Sequence, residues 1–145
     1  MAGYGKDDIR RDTTGQGKKR SVKVTGYGKD KVKEVYKKES IICVFQPHRI
    51  SRLKDLKKEF TFSFRKADEV ILCPIYSAGE KIKLGFNYYN FAKSITNNSK
   101  VKTYLVEDQF SLAKFINQNI YGKKIVIGMG AGSISNWMKE LPNLI

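Results

Sequence analysis

Apolar residues along this chain alternate between two kinds of pattern. The first is the short uncharged run. Ser40, Ile41, Ile42, Cys43, Val44 and Phe45 are dominated by β-branched and apolar side chains, which predicts a buried strand. Pro47 stops it, since proline has no N–H for a ladder and keeps the preceding residue extended. A second run covers 69–75, again ending near a proline, Pro74. A third, 101–106, alternates with polar residues and is expected at an edge or partly exposed position. A fourth is 124–127.

The second pattern is the one-faced helix. Leu53, Leu56, Phe60 and Phe64 recur at helical spacing, with Lys54, Lys57, Lys58 and Glu59 mostly opposite. That predicts three to four turns from a Ser51 cap. Tyr88, Phe91, Ala92 and Ile95 mark a helix over 87–95, closed by Asn97, Asn98 and Ser99. Leu112, Phe115 and Ile116 mark another to 120, capped by Asp108 or Ser111 and ended by Gly122. The last runs from Ser133 through Lys139, with Trp137 expected to pack. Val32, Val35 and Tyr36 suggest a short helix over 31–38.

From residue 41 onward, strands and helices alternate. The expected fold class is α/β: a Rossmann-like, mostly parallel sheet flanked by helices on both faces. The domain is placed at 31–145. Residues 1–30 are poor in patterned hydrophobics and rich in Gly, Lys, Arg, Asp and Thr, so they are expected as a flexible basic leader. Gly15-Gln16-Gly17-Lys18 lacks the spacing and preceding strand of a phosphate loop.

The net charge of +14 changes the picture modestly. Half of it lies in residues 1–38, so non-specific polyanion binding is expected there. A small basic α/β nucleic-acid-binding module is the alternative reading, although no RNP-like pattern, zinc module or helix-turn-helix signature supports it. Cys43 and Cys73 lie in strand runs without C-x-x-C spacing, and His48 is the only histidine. Zinc is thereby disfavoured, and buried thiols of a reducing, cytoplasmic compartment are expected. No stretch approaches a membrane span or a secretory signal.

Candidate chemistry gathers behind Pro47. His48, Arg49 and Arg52 follow a strand's carboxyl end at the start of a helix, where open α/β sheets bind ligands. Two guanidiniums and an imidazole there favour a small anion, a carboxylate or phosphate. Gly128, Gly130 and Gly132 form a turn after the last strand, read as a tight structural turn and not a dinucleotide fingerprint.

These residues also carry a resemblance. Val44-Phe45-Gln46-Pro47-His48-Arg49-Ile50-Ser51-Arg52 resembles the F-Q-P-H-R-Y-S-R signature of the L-alanine-adding branch of the Mur ligases, enzymes of peptidoglycan synthesis. Ala67 to Leu72, Ile75 to Glu80 and Gly130 to Ile134 match the same family in order, so the resemblance covers 32–145. It implies a cytoplasmic three-domain enzyme with an N-terminal UDP-sugar domain, a central ATPase domain and a C-terminal Rossmann-like domain. In that family ATP and Mg2+ activate the carboxylate of UDP-N-acetylmuramate, and the amine of L-alanine then attacks it. By position, His48, Arg49 and Arg52 are implied to hold the L-alanine carboxylate. No residue is assigned a catalytic or cofactor-binding role, and the Gly130–Gly132 turn is assigned no chemistry. The family's Asp-Asp-Tyr-Ala-His-His-Pro loop corresponds here to Thr25-Gly26-Tyr27-Gly28-Lys29-Asp30, where only Tyr27 matches. The resemblance therefore implies a C-terminal domain not catalytically competent by itself, its central and N-terminal partner domains lying outside this chain.

Overall fold

The structure, a computed structural model, describes residues 9–15, 18–25, 39–55, 57–76, 87–130 and 132–145. The expected 31–38 helix, Tyr27 and the segment 77–80 lie outside the described residues. Six strands form one sheet: β1 (Ile9–Gly15), β2 (Lys18–Thr25), β3 (Ser40–Gln46), β4 (Glu69–Leu72), β5 (Lys102–Leu105) and β6 (Gly122–Gly130). Their order is β1-β2-β6-β3-β4-β5. All neighbours run parallel except β1 and β2, so the sheet is mostly parallel as the alternation predicts.

Five helices are described: α1 (Ile50–Asp55), α2 (Lys57–Phe62), α3 (Tyr88–Ser99), α4 (Gln109–Asn119) and α5 (Ile134–Leu144). They cover both faces, because β3 is apolar on both. Ile41, Cys43 and Phe45 enter one core with Leu53, Phe64, Phe91 and Ile95. Ile42 and Val44 enter the other with Leu112, Ile116, Ile134 and Met138. Each such side chain, fully buried, contributes roughly 1.5–3 kcal/mol. Trp137 packs against the second core. β5 closes one edge, with Lys102 and Leu105 exposed.

Several boundaries differ from the sequence expectation. Ser51 is not a cap: α1 begins at Ile50, with the Leu53 N–H on the Arg49 carbonyl at 3.2 Å. Helix is described over Ile50–Asp55 and Lys57–Phe62, in keeping with the expected helix from Ser51; position 56 lies outside the described residues. α3 runs through Ser99, and the left-handed residue that ends it is Lys100, φ 57°. α4 closes on Ile120 in extended conformation, so Gly122 is no helix cap; it opens β6 at φ 79°. Asp108 caps α4, accepting from the Ser111 N–H at 2.7 Å. That bond holds its carboxyl below the usual range.

The basic leader differs too. Ile9–Gly15 and Lys18–Thr25 are strands of the sheet, with Thr25 opposite Ile127 of β6. Composition reports on apolar side-chain burial alone. A strand at a sheet edge is recruited through backbone N–H and C=O groups, and charged residues are common there because they discourage further pairing.

Candidate functional site

Chain order reverses between β3 and β6. β3 leads to β4 and β5 on one side, and β6 then returns to β3's other side. In open α/β sheets, ligands bind outside the carboxyl ends of the strands at such a reversal. Here the facing tips are Gln46 and Gly130, register partners in the ladder.

Gln46 is 3% exposed, a buried amide at the end of an apolar strand. Its Nε2 donates to the Pro74 carbonyl at 3.1 Å and to Ser133 Oγ at 2.9 Å. Its Oε1 accepts from the Ile134 N–H at 2.9 Å and from Ser133 Oγ at 3.2 Å. One side chain thus joins the tip of β3 to the segment after β4 and to the first turn of α5. It also satisfies an N–H that a helix start leaves without a partner. A Cβ on Gly130, whose φ is 130°, would overlap the Gln46 carbonyl oxygen. The glycine therefore serves close approach of two strands; Gly128 and Gly130 lie inside β6, not in a turn after it as the spacing suggested, because the ladder with β3 continues to Gln46.

Past Pro47 the parallel pairing resumes for one step. The Tyr76 N–H donates to the Pro47 carbonyl at 2.9 Å, and the Arg49 N–H donates to the Tyr76 carbonyl at 2.8 Å. His48 and Tyr76 form an isolated parallel bridge, and their rings stack with centroids 5.6 Å apart at 22°. The same Tyr76 ring lies over Gly132: a Cβ there would come within 2.6 and 2.7 Å of its Cδ1 and Cδ2. The turn after β6 and the segment after β3 thus meet on one aromatic ring.

The expected site residues fall at this edge. His48 is half-buried; Arg49 immediately precedes α1, and Arg52 lies in its first turn, both exposed. Arg49 has φ 63°, a left-handed conformation that costs a non-glycine residue about 1–2 kcal/mol. Sequence reasoning did not single out Gln46 or Tyr76. Gln46 left a signal, a lone amide interrupting an apolar run before proline. Tyr76 left only its place in the Ile75 to Glu80 match, because its partner His48 is 28 positions away and reached only through strand pairing.

Behind the edge, burial pushes the Cys73 thiol up to about 12. Tyr88, whose hydroxyl donates to the Cys73 carbonyl, is pushed up by burial and then by Cys73. Among the described residues, no group of three or more His, Cys, Asp or Glu side chains could hold a metal ion. None of the described helices is long and apolar enough to cross a membrane.

No family model matches the chain. Individual relatives do. The chain is 71% identical over 114 residues to the UDP-N-acetylmuramate–L-alanine ligase of Pelagibacter ubique, covering 79% of this chain and 25% of that protein. It is 36% identical over 103 residues to the ligase of the same name from Paramagnetospirillum magneticum, covering 71% and 22%. The chain therefore spans about a quarter of the length of the curated relatives it matches. Among solved structures, the UDP-N-acetylmuramate–alanine ligase of Thermotoga maritima aligns with TM-score 0.59 at 23% identity, over 84% of this chain and 26% of that one. A murein peptide ligase from Psychrobacter arcticus aligns with TM-score 0.62 at 12% identity, over 85% and 27%. At those identities the structures speak to the fold alone. Sequence identity and fold agree with the motif around Pro47: the chain belongs to the Mur ligase family, in its UDP-N-acetylmuramate–L-alanine ligase branch.

Proposed function

We propose that this chain is the C-terminal, amino-acid-binding domain of an ATP-dependent ligase that joins L-alanine to UDP-N-acetylmuramate in peptidoglycan synthesis. The observation that supports this most directly is the site's place in the fold. His48, Arg49 and Arg52 follow β3 at the carboxyl edge beside the chain reversal, within a sequence 71% identical to such a ligase. Arg49 and Arg52 are exposed at the start of α1, and guanidiniums form paired, charge-assisted hydrogen bonds to a carboxylate. His48, half-buried and held flat against Tyr76, lines the same edge. The role of these three side chains is to hold the amino acid by its acid end, leaving its amine directed away from the arginines.

ATP and Mg2+ would supply activation of the muramoyl carboxylate in the whole enzyme. The described residues contain no cluster of acidic or histidine ligands that fits a magnesium ion, so no step is assigned to this chain through either. Joining an acyl donor to an amine requires donor, nucleotide and amine to be held together, and this domain offers a place for one of the three. The 145 residues by themselves are therefore expected not to catalyse ligation.

Two measurements test the reading. Incubating the chain with ATP, Mg2+, UDP-N-acetylmuramate and L-alanine is expected to release no phosphate, and release by pure chain would refute the inactivity. Titrating L-alanine is expected to displace the ring resonances of His48, with the displacement lost in Arg49→Ala and Arg52→Ala. Retention in both variants would remove the two arginines from the site.

A further inference from the structure

We propose that Tyr76 is a positioning residue for this site, setting the pose of His48 and Arg49, with Gly132 supplying the space its ring occupies. The consequence for amino-acid binding rests on the function proposed above; the geometry does not. Tyr76 acts in two separable ways. Its backbone brackets the segment, with its N–H on Pro47 and its carbonyl on the Arg49 N–H. Those two bonds help offset the left-handed strain at Arg49, at φ 63°. Its ring does something the backbone cannot, stacking on the His48 imidazole at 5.6 Å and restricting its rotation. The ring gains little from the core, since Tyr76 remains 40% exposed. What fixes it from the far side is the absence of a side chain at Gly132, where a Cβ would overlap the ring. The turn after β6 is thereby coupled to the imidazole through one aromatic side chain.

His48 is the only histidine, so its carbon-bound ring protons give unambiguous NMR signals in the full 145-residue chain. Protons over an aromatic face are shielded. At fixed pH, Tyr76→Leu is therefore expected to move the His48 signals downfield, while Tyr76→Phe leaves them in place. Gly132→Ala should move them as Tyr76→Leu does, although it alters neither ring. Should Gly132→Ala fail to fold, the Tyr76 pair still decides. Freeing one side chain should weaken L-alanine binding roughly threefold to tenfold in Tyr76→Leu, with Tyr76→Phe near wild type. Unmoved His48 signals in a folded Tyr76→Leu chain overturn the proposal. If Tyr76→Leu moves them but L-alanine leaves the wild-type signals unchanged, the alanine reading fails and the positioning of His48 by Tyr76 stands.

Discussion

Replacing Gln46 by glutamate gives a pH-dependent loss of stability, and by leucine a pH-independent one, if its amide network holds the carboxyl edge together. The wild-type side chain donates to Pro74 and Ser133 and accepts from Ser133 and the Ile134 N–H, at 2.9–3.2 Å, while 3% exposed. Leucine removes all of these and strands the Ile134 donor and the Pro74 acceptor. At about 1–3 kcal/mol for each of the two stranded groups, the cost is about 2–6 kcal/mol at every pH. Glutamate keeps the acceptor toward Ile134 but, when ionised, sets an oxygen against the Pro74 carbonyl. The α5 N-terminus favours that negative charge by about 0.3–1 kcal/mol. Burial opposes it by up to several pKa units, each about 1.4 kcal/mol, so burial wins and the introduced carboxyl titrates above its unfolded value near 4.3. Its stability contribution is then fully present below about pH 4.3 and lost as pH rises through the folded value. Urea unfolding followed by the fluorescence of Trp137, the only tryptophan, reads both effects. Relative to wild type, Gln46→Glu should be nearly neutral at pH 4.5 and several kcal/mol weaker at pH 8, while Gln46→Leu stays uniformly weak. A Gln46→Glu deficit that does not shrink on acidification would refute the reasoning.

Three further outcomes are expected. Gly130→Ala and Gly122→Ala both place a side chain at positive φ, but a Cβ overlaps the Gln46 carbonyl in the first and meets nothing within 4 Å in the second. Gly122→Ala should cost about 1 kcal/mol and Gly130→Ala about 3 kcal/mol or more in the same urea assay; equal costs would contradict the close approach of β3 and β6. Arg49→Gly and Lys100→Gly each relieve a left-handed non-glycine residue and should raise stability by up to about 1 kcal/mol, yet only Arg49→Gly should abolish the L-alanine response of His48. Above pH 9 the chain should lose stability. The buried Cys73 thiol is pushed up to about 12, so its contribution is complete below its ordinary value of 9.0 and fades as pH climbs toward 12. Thermal unfolding between pH 8 and 11 checks this, and a flat profile would count against the burial of Cys73.

The helices and the four strands from residue 40 onward were legible because their physics is local. β3 is apolar at every position from Ile41 to Phe45, which reads as a strand covered on both faces. Asp108 sits before an apolar helix pattern, which reads as a cap. What escaped was non-local. The entry of Ile9–Gly15 and Lys18–Thr25 into the sheet depends on backbone pairing with β6, over a hundred residues later, and no side-chain pattern encodes that partner. Pro142 lies inside α5, five residues past Trp137, and prolines ordinarily argue for an earlier end. It is tolerated in a last turn whose face is buried against the second core with Leu141. In the candidate site, the charged residues were legible and their supports were not. Arg49 and Arg52 announce themselves as cations behind a strand-ending proline, whereas Tyr76 and Gly132 matter only because a three-dimensional edge brings them to His48.

The proposed site also lies where local rules are broken. Sequences that specify one fold keep propensity, burial and turn chemistry in agreement, and departures concentrate where function requires them. Among the described residues, Lys100 departs from the ordinary backbone preference, but it ends α3, where a single left-handed residue is common. Arg49 ends no helix; it is held left-handed at the start of one by a hydrogen bond to Tyr76. Among the described residues Gln46 is one of three buried polar residues, and the other two, Thr61 and Ser99, bond to each other's elements to join α2 and α3. Gln46 instead spans three elements at the tips of β3 and β6. Of the three positive-φ glycines among the described residues, Gly130 and Gly132 close on that edge, each against a group a side chain would displace. A strained arginine, a buried amide and two crowded glycines thus gather within a few residues of one chain reversal. On the function proposed above, they support an edge that presents Arg49, Arg52 and His48 to a small acid.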